Sequence, residues 1–303
     1  MEQQRELFRQ FLEPESLSLV LSDWDGTITE EDTIPLVFEA LRLDKPEGYP
    51  WDFKFFQKLY MDRFRKLFEV HLPNFEFRHR DTMEKEIEFQ KCFGEFVEMK
   101  TKNDAIRLNC FHGVHVNSFS KQVENLVIHK GFPEVLRKLR DRNIGFGVIS
   151  VNWTQKIIEA YLRSIGFDPV PNEIMMIGND FEFDKNGYCL GTLRDDGITT
   201  GYDKMVKVIE VKSKVTNGKV LYVGDSSVDC LAMLNADKGV IIKGGSVSEA
   251  LRKLGHEVLE VKQLNSDNIK NIRFVAVDNW TDLEECLDVQ GSIEFQGGHL
   301  YAS

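Results

Sequence analysis

The chain has 303 residues, 42% of them hydrophobic and 11% aromatic, with a formal net charge of −11. That is enough apolar material for one large core or two modest ones, and it excludes a disordered chain. The acidic balance excludes a general nucleic-acid binder with a basic face, and no apolar stretch reaches the roughly 18 residues of a membrane span.

The N-terminal "MEQQRELFRQFLEPES" carries charges every few residues and no apolar core, so no secretory signal is expected. The first apolar run of strand length is "LSLVLSD" (17–23), which closes on Asp23, with Asp25 one tryptophan further on. From about residue 34 to 130 the sequence is rich in Phe, Lys and Glu with helical spacing of its aromatics, which predicts a helical subdomain of about four helices. Alternation then sets in: a helix over 133–143, a strand over 144–151, a helix over 154–166, and "IMMIGNDFEFDKNGYCLGTL" (174–193), whose "KNG" turn predicts a β-hairpin. A helix over 203–215, a strand over 220–225, a helix over 226–236 and strands over 239–243 and 274–278 follow, before a short helix "TDLEECL" and a loose tail. Strand and helix in alternation predict an α/β fold, a Rossmann-like parallel sheet covered on both faces. The five cysteines form no CxxC pair and read as free thiols of a reducing compartment, so a soluble cytoplasmic protein is expected.

Several polar residues stand where strands end. Asp23 closes the first strand, Ser150 closes "GFGVIS" and Asp225 closes "VLYVGD". In open parallel sheets, ligands bind outside the carboxyl ends of the strands, so these residues are expected to meet in one crevice. Asp25 follows Asp23, and Asp229 stands one helical turn after Asp225. Crowded carboxylates repel, and a hard divalent cation such as Mg²⁺ removes the conflict. One carboxylate can act as a nucleophile and a second as acid and base, while Lys204, at a helix start, can face a transferring phosphoryl group. Each residue alone has an ordinary reading. A strand-end aspartate caps a turn, Ser150 caps a helix, Lys204 or Lys207 is a solvated lysine, and Asp229 is an acid in a first helical turn.

Together, "DWDGTIT", "VIS", "DK" and "VGDSSVD" resemble, in order and spacing, the four motifs of the haloacid dehalogenase (HAD) superfamily, over about residues 16–243. The hairpin segment resembles its phosphoserine-phosphatase-like branch. The resemblance implies a core of residues 1–33 and 131–303 with a helical C1-type cap at 34–130. It also implies a Mg²⁺-dependent phosphatase acting on a small phosphorylated metabolite, with no nucleic-acid or membrane partner. Asp23 is then the nucleophile and Asp25 the acid and base. Ser150 and Lys204 bind the phosphoryl group, and Asp23, Asp25 (through its carbonyl) and Asp225 hold the metal. Thr27 fixes the loop and Asp229 supports the metal site or orients Lys204. Dehalogenases of the superfamily typically lack the second aspartate, so Asp25 favours a phosphatase.

The sequence departs from the branch after Ser150, where Val151, Asn152 and Trp153 stand in place of a glycine pair, which puts phosphoserine itself in doubt as the substrate. The rival readings are a catalytically silent binding protein, a phosphomutase, and a phosphonatase with a Schiff-base lysine at Lys45, Lys54 or Lys58. "NCFHGVH" (109–115) matches no zinc pattern and is expected at the junction of cap and core. Arg63, Arg65 and the "FRHRD" cluster (77–81) are candidates for a cationic cap residue that selects a second anionic group, and Asp32 and Thr33 are candidate substrate contacts.

Overall fold

The computed structural model describes residues 2–73, 80–169 and 173–288. Helix α1 (Glu2–Leu12) buries Phe8, Phe11 and Leu12, one stripe at helical spacing. The chain turns at Glu13, which takes a left-handed φ of 48°, and enters β1 (Leu17–Ser22). Four helical rods follow. They are α2 (Ile34–Asp44), α3 (Phe53–Lys66) continued by a wide turn to His71, α4 (Met83–Phe93) running through Gly94–Glu98 into α5 (Met99–Arg107), and α6 (Val116–Ser120) continued by a 3-10 turn. The remainder alternates: α7 (Phe132–Asp141), β2 (Gly145–Ser150), α8 (Lys156–Ser164), β3 (Ile174–Gly178), β4 (Phe181–Phe183), β5 (Cys189–Leu193), α9 (Gly201–Lys214), β6 (Lys219–Gly224), α10 (Cys230–Asn235), β7 (Lys238–Ile242), α11 (Val247–Lys253), β8 (Val258–Glu260), β9 (Phe274–Val277) and α12 (Trp280–Cys286).

Seven strands form one sheet in the order β3-β2-β1-β6-β7-β9-β8, with every pairing parallel. Side chains of a strand alternate between faces. Val20 therefore enters the core under α1, α7, α8 and α12, while Leu19 and Leu21 enter the core under α9, α10 and α11. Because both faces are covered, β1 is apolar almost throughout. Its neighbours β2 and β6 follow it in the chain on opposite sides, so the sheet's switch point lies at the carboxyl end of β1, where a ligand crevice is expected.

Residues 174–193 do not form a single hairpin. Ile174–Gly178 joins the parallel sheet against β2, and only β4 and β5 pair antiparallel. The break is made at Gly178 and Asn179. A Cβ on Gly178 would lie 2.8 Å from the Ser150 carbonyl oxygen, and the Asn179 amide donates to the carbonyls of Val151 and Asn152. The segment 226–236 is likewise divided, into a 3-10 turn (Ser227–Asp229) and α10. The hairpin packs Phe181 and Cys189 against Phe38, Phe56, Phe111 and Phe119 of the helical insertion. On the other side α4 seats on the start of α9, where Gly94 leaves room for the Thr200 methyl group and Gln90 accepts the Gly201 N–H at 3.2 Å. The C-terminal residues extend the sheet through β9 and β8, and Trp280 of α12 donates to the Thr27 carbonyl at 2.7 Å. The tail beyond residue 288 lies outside the described residues. Among these, no helix is long and apolar enough to cross a membrane.

Candidate active site

Asp23 extends the β1–β6 ladder by one bond, its N–H meeting the Val223 carbonyl at 3.0 Å. The strand's alternation sends Trp24 the other way. Its ring is fully buried beside Tyr161, and its indole N–H donates to Thr33 Oγ1 at 3.1 Å. The tryptophan between the two acids is thus a core residue that anchors the loop beneath them. Gly26 turns this loop with a φ of +72°, and a Cβ there would lie 2.7 Å from Asp225 Oδ2. Thr27 Oγ1 donates to Asp225 Oδ1 at 2.9 Å, joining the first loop to the end of β6.

Thr200 and Asp203 form a reciprocal cap that starts α9, and the first turn points Lys204 inward. Lys204 is fully buried. Its Nζ donates to Asp23 Oδ1 at 2.7 Å and to Asp229 Oδ1 at 2.8 Å. Asp229 also accepts the Tyr222 hydroxyl at 2.9 Å and the N–H groups of Asp225 and Ser226. With those partners it is fully engaged in holding Lys204. Lys207 is paired with Glu210 outside the site. Burial disfavours the ammonium ion, but Asp229 and then Asp23 outweigh that and raise the Lys204 pKa above its ordinary value.

Asp25 lies beside this group. Its Oδ1 accepts the N–H and hydroxyl of Thr33, and its Oδ2 accepts the Asn152 amide at 3.0 Å. Asn152 also reaches Thr33 Oγ1, and its N–H donates to Ser150 Oγ at 3.1 Å, which leaves the serine proton to be donated elsewhere. Contacts therefore link Asp23, Lys204 and Asp229; Thr27 and Asp225; and Asp25, Thr33, Asn152 and Ser150. Thr33 locks Asp25 in place; only Asp32, of the two candidate substrate contacts, lines the adjoining cavity.

Four carboxylates here face one lysine. Asp23 is raised well above the usual carboxylate range by burial and then by Asp229. Asp25 is raised by burial, and Asp225 is pushed up to about 6 by burial and the charge of Asp229. Oxygens of Asp23, Asp225 and Asp229 lie within 4.8 Å of one another. Gly26 and Gly245 leave space around Asp225 that a Cβ would fill, at 2.7 and 2.5 Å from its Oδ2. An all-oxygen set with surplus negative charge fits a hard divalent cation. With Asp229 occupied by Lys204, Asp23 and Asp225 are the carboxylates that remain for it.

A cavity of about 400 Å³ opens from Asp23 and Asp25 toward α3 and α5. Among the described residues, none of the expected cationic cap residues lines it. Arg63 binds Asp104 and Thr101, Arg65 pairs with Asp62, and Arg80 is buried against Glu86, so none of them lines it. Phe77, Arg78 and His79 lie outside the described residues. Lys45, Lys54 and Lys58 are also absent from its walls, which removes the support for a Schiff-base lysine. In "NCFHGVH", Cys110 is buried, and His115 caps α6 and meets the Asn186 carbonyl of the hairpin. Sequence reasoning missed Tyr222, hidden in an apolar strand, and Gly245, which lies outside every motif.

The model of the haloacid dehalogenase-like hydrolases matches residues 17–237. The chain belongs to this family. The motif loops of this HAD-like hydrolase fall inside the matched range. A curated relative, the "Bifunctional TH2 protein, mitochondrial" of Arabidopsis thaliana, is 26% identical over 165 residues, which are 52% of this chain; the match spans about a quarter (26%) of that protein's length. Among solved structures, a HAD family hydrolase from Salmonella enterica serovar Typhi superposes with a TM-score of 0.52 at 12% identity, covering 95% of this chain and 81% of its own. A probable phosphoserine phosphatase from Vibrio cholerae gives 0.52 at 12% identity, covering 89% and 63%. At these identities the likeness is one of fold.

Proposed function

We propose that this HAD-like hydrolase is a Mg²⁺-dependent phosphomonoesterase that forms an aspartyl-phosphate on Asp23 and acts on a small phosphorylated metabolite. The observation that carries the reading is the buried Lys204 clamped between Asp23 and Asp229 next to Asp225. This arrangement holds a carboxylate and a cation at one point, which supports attack by Asp23 on a phosphoryl group. Asp23 Oδ attacks phosphorus, and the ester P–O bond breaks as Asp25 gives its proton to the leaving oxygen. The raised pKa of Asp25 suits it to hold that proton, and the donors Thr33 and Asn152 keep its carboxyl group still. Asp25 then takes a proton from water. The water oxygen bonds to phosphorus, the P–O bond to Asp23 breaks, and phosphate leaves. Lys204 and the Ser150 hydroxyl face the phosphoryl oxygens, where negative charge is greatest. Asp23, Asp225 and the Asp25 carbonyl would hold Mg²⁺, which supplies charge neutralisation to the phosphoryl oxygens.

Residues 34–130 are proposed to act as a cap that excludes water from the first step. The core is proposed to comprise 1–33 and 131–303. The five free cysteines support a reducing, cytoplasmic setting. The test is phosphate release from p-nitrophenyl phosphate. Release requires Mg²⁺, stops with EDTA, and falls on the order of 10⁴-fold or more in Asp23→Asn. Release that survives the substitution rules out Asp23 as nucleophile.

A further inference from the structure

The cavity beyond the reacting groups has an unusual lining. Phe38 meets Phe53, Phe56 and Trp153 with ring centroids 5.3–6.0 Å apart, forming a continuous aromatic wall that Tyr60 extends. The charged residues lining it away from Asp23 and Asp25 are Asp32 and Glu98, both acids. Among the described residues no lysine, arginine or histidine lines it. Tyr60 and Glu98 line this wall together, the phenol close enough to act on the carboxylate. Lys102, one turn from Glu98, is buried with its Nζ on the carbonyls of Val151 and Ile198 rather than in the cavity, and its charge offsets part of that of Glu98, leaving Asp32 without a cation in the lining. Lys204 and a metal answer the charge of a phosphate group, but among the described residues no cationic side chain on this wall answers a second anion; its donors are neutral, such as Gln57 and Ser226. The carboxylate of an amino-acid ester would meet two like charges, and a polyhydroxylated alcohol would press its hydroxyls on hydrocarbon. A compact cationic group satisfies both features at once, because aromatic faces attract cations and the two acids supply counter-charge.

We infer that the alcohol half of the substrate carries a cationic nitrogen group, such as a quaternary ammonium or a charged heteroaromatic ring, seated against Phe38, Phe56 and Trp153 with Glu98 and Asp32 as its counter-charges. The inference rests on the phosphomonoesterase reading and deepens it.

Matched ester pairs that differ in charge alone provide the test. Phosphocholine is compared with 3,3-dimethylbutyl phosphate, and 2-(N-methylpyridinium-4-yl)ethyl phosphate with 2-(4-methylphenyl)ethyl phosphate, alongside p-nitrophenyl phosphate and phosphoserine. In at least one pair the cationic ester is expected to have a kcat/KM about tenfold or more above its neutral twin. In Glu98→Gln, which preserves shape, that ratio is expected to fall toward one, chiefly through KM of the cationic ester. Ratios of one or below in both pairs, or a preference for phosphoserine, with p-nitrophenyl phosphate still hydrolysed, overturn the cation site and leave the phosphatase standing. An unchanged ratio in Glu98→Gln removes Glu98 as counter-charge. No hydrolysis of any ester overturns the phosphatase reading and this inference with it.

Discussion

Asp225 is confined from three sides. Thr27 holds one carboxylate oxygen, and Gly26 and Gly245 approach the other so closely that an added methyl group would strike it. Its pKa of about 6 stands above the usual 3.8, so without metal the folded chain binds this proton more tightly than the unfolded one. Stability from that source is present below about pH 4 and is lost as the pH rises through 6. Metal displaces the proton. Mg²⁺ is therefore expected to raise the melting temperature more at pH 7.5 than at pH 5, while in EDTA the melting temperature falls over the same interval. Gly245→Ala, which crowds Asp225, is expected to shrink the Mg²⁺ shift. Equal Mg²⁺ shifts at both pH values would remove Asp225 from the metal site. At this scale the sequence shows an acid or a hydroxyl where the apolar runs of β1, β2 and β6 stop, and Asp23, Ser150 and Asp225 are legible for that reason. Tyr222 is illegible because its ring belongs to the strand while only its hydroxyl reaches Asp229.

Elements were legible when their period and their partner agreed. β1, β2, β6, β7 and β9 read as buried strands, and all pair in one sheet. β3 was misread because period-two alternation gives a strand but not its neighbour, and the side-chain amide that turns the chain at Asn179 leaves no pattern. β8 has three residues, too few for a period. α1 was passed over because charges surround its stripe of Phe8, Phe11 and Leu12. This helix is tied to the sheet edge-on by Glu13, whose carboxylate accepts from Lys219 at the start of β6 and Lys238 at the start of β7. Those bonds, Lys219 foremost, hold its pKa down at about 2. The contribution is present above about pH 4.5 and is lost as pH falls through 2. Glu13 is partly open to solvent, so screening limits the effect. Glu13→Gln is expected to cost less than about 1 kcal/mol at pH 7, and the gap in urea midpoint between mutant and wild type should narrow as pH drops from 5 to 3. A constant gap would show that the loss does not come from the Glu13 charge.

Across the whole molecule, the strand at the switch point precedes its partner β6 in the chain by a long way. β1 is an interior strand, third in the order of seven, and Leu21 lies against Tyr222, about 200 residues away. Mean sequence separation of this kind slows folding, since the chain must close a long loop before any pairing is gained. The helical rods between residues 34 and 125 depend far more on near neighbours. A newly made chain therefore holds "LSLVLS" unpaired while the helices after it are already able to form, and in that interval β1 is an aggregation hazard. Pulsed hydrogen exchange during refolding is expected to protect amides of α3 and α5 in an earlier phase than those of β1 and β6. Protection of all four in one phase would contradict this. Asp23, proposed as the nucleophile, leaves the ribosome some 180 residues before Lys204 and some 200 before Asp225, the residues proposed to complete its site. Cells that make this protein must keep a half-built centre from harm, and early contact between β1 and a chaperone is the event to look for.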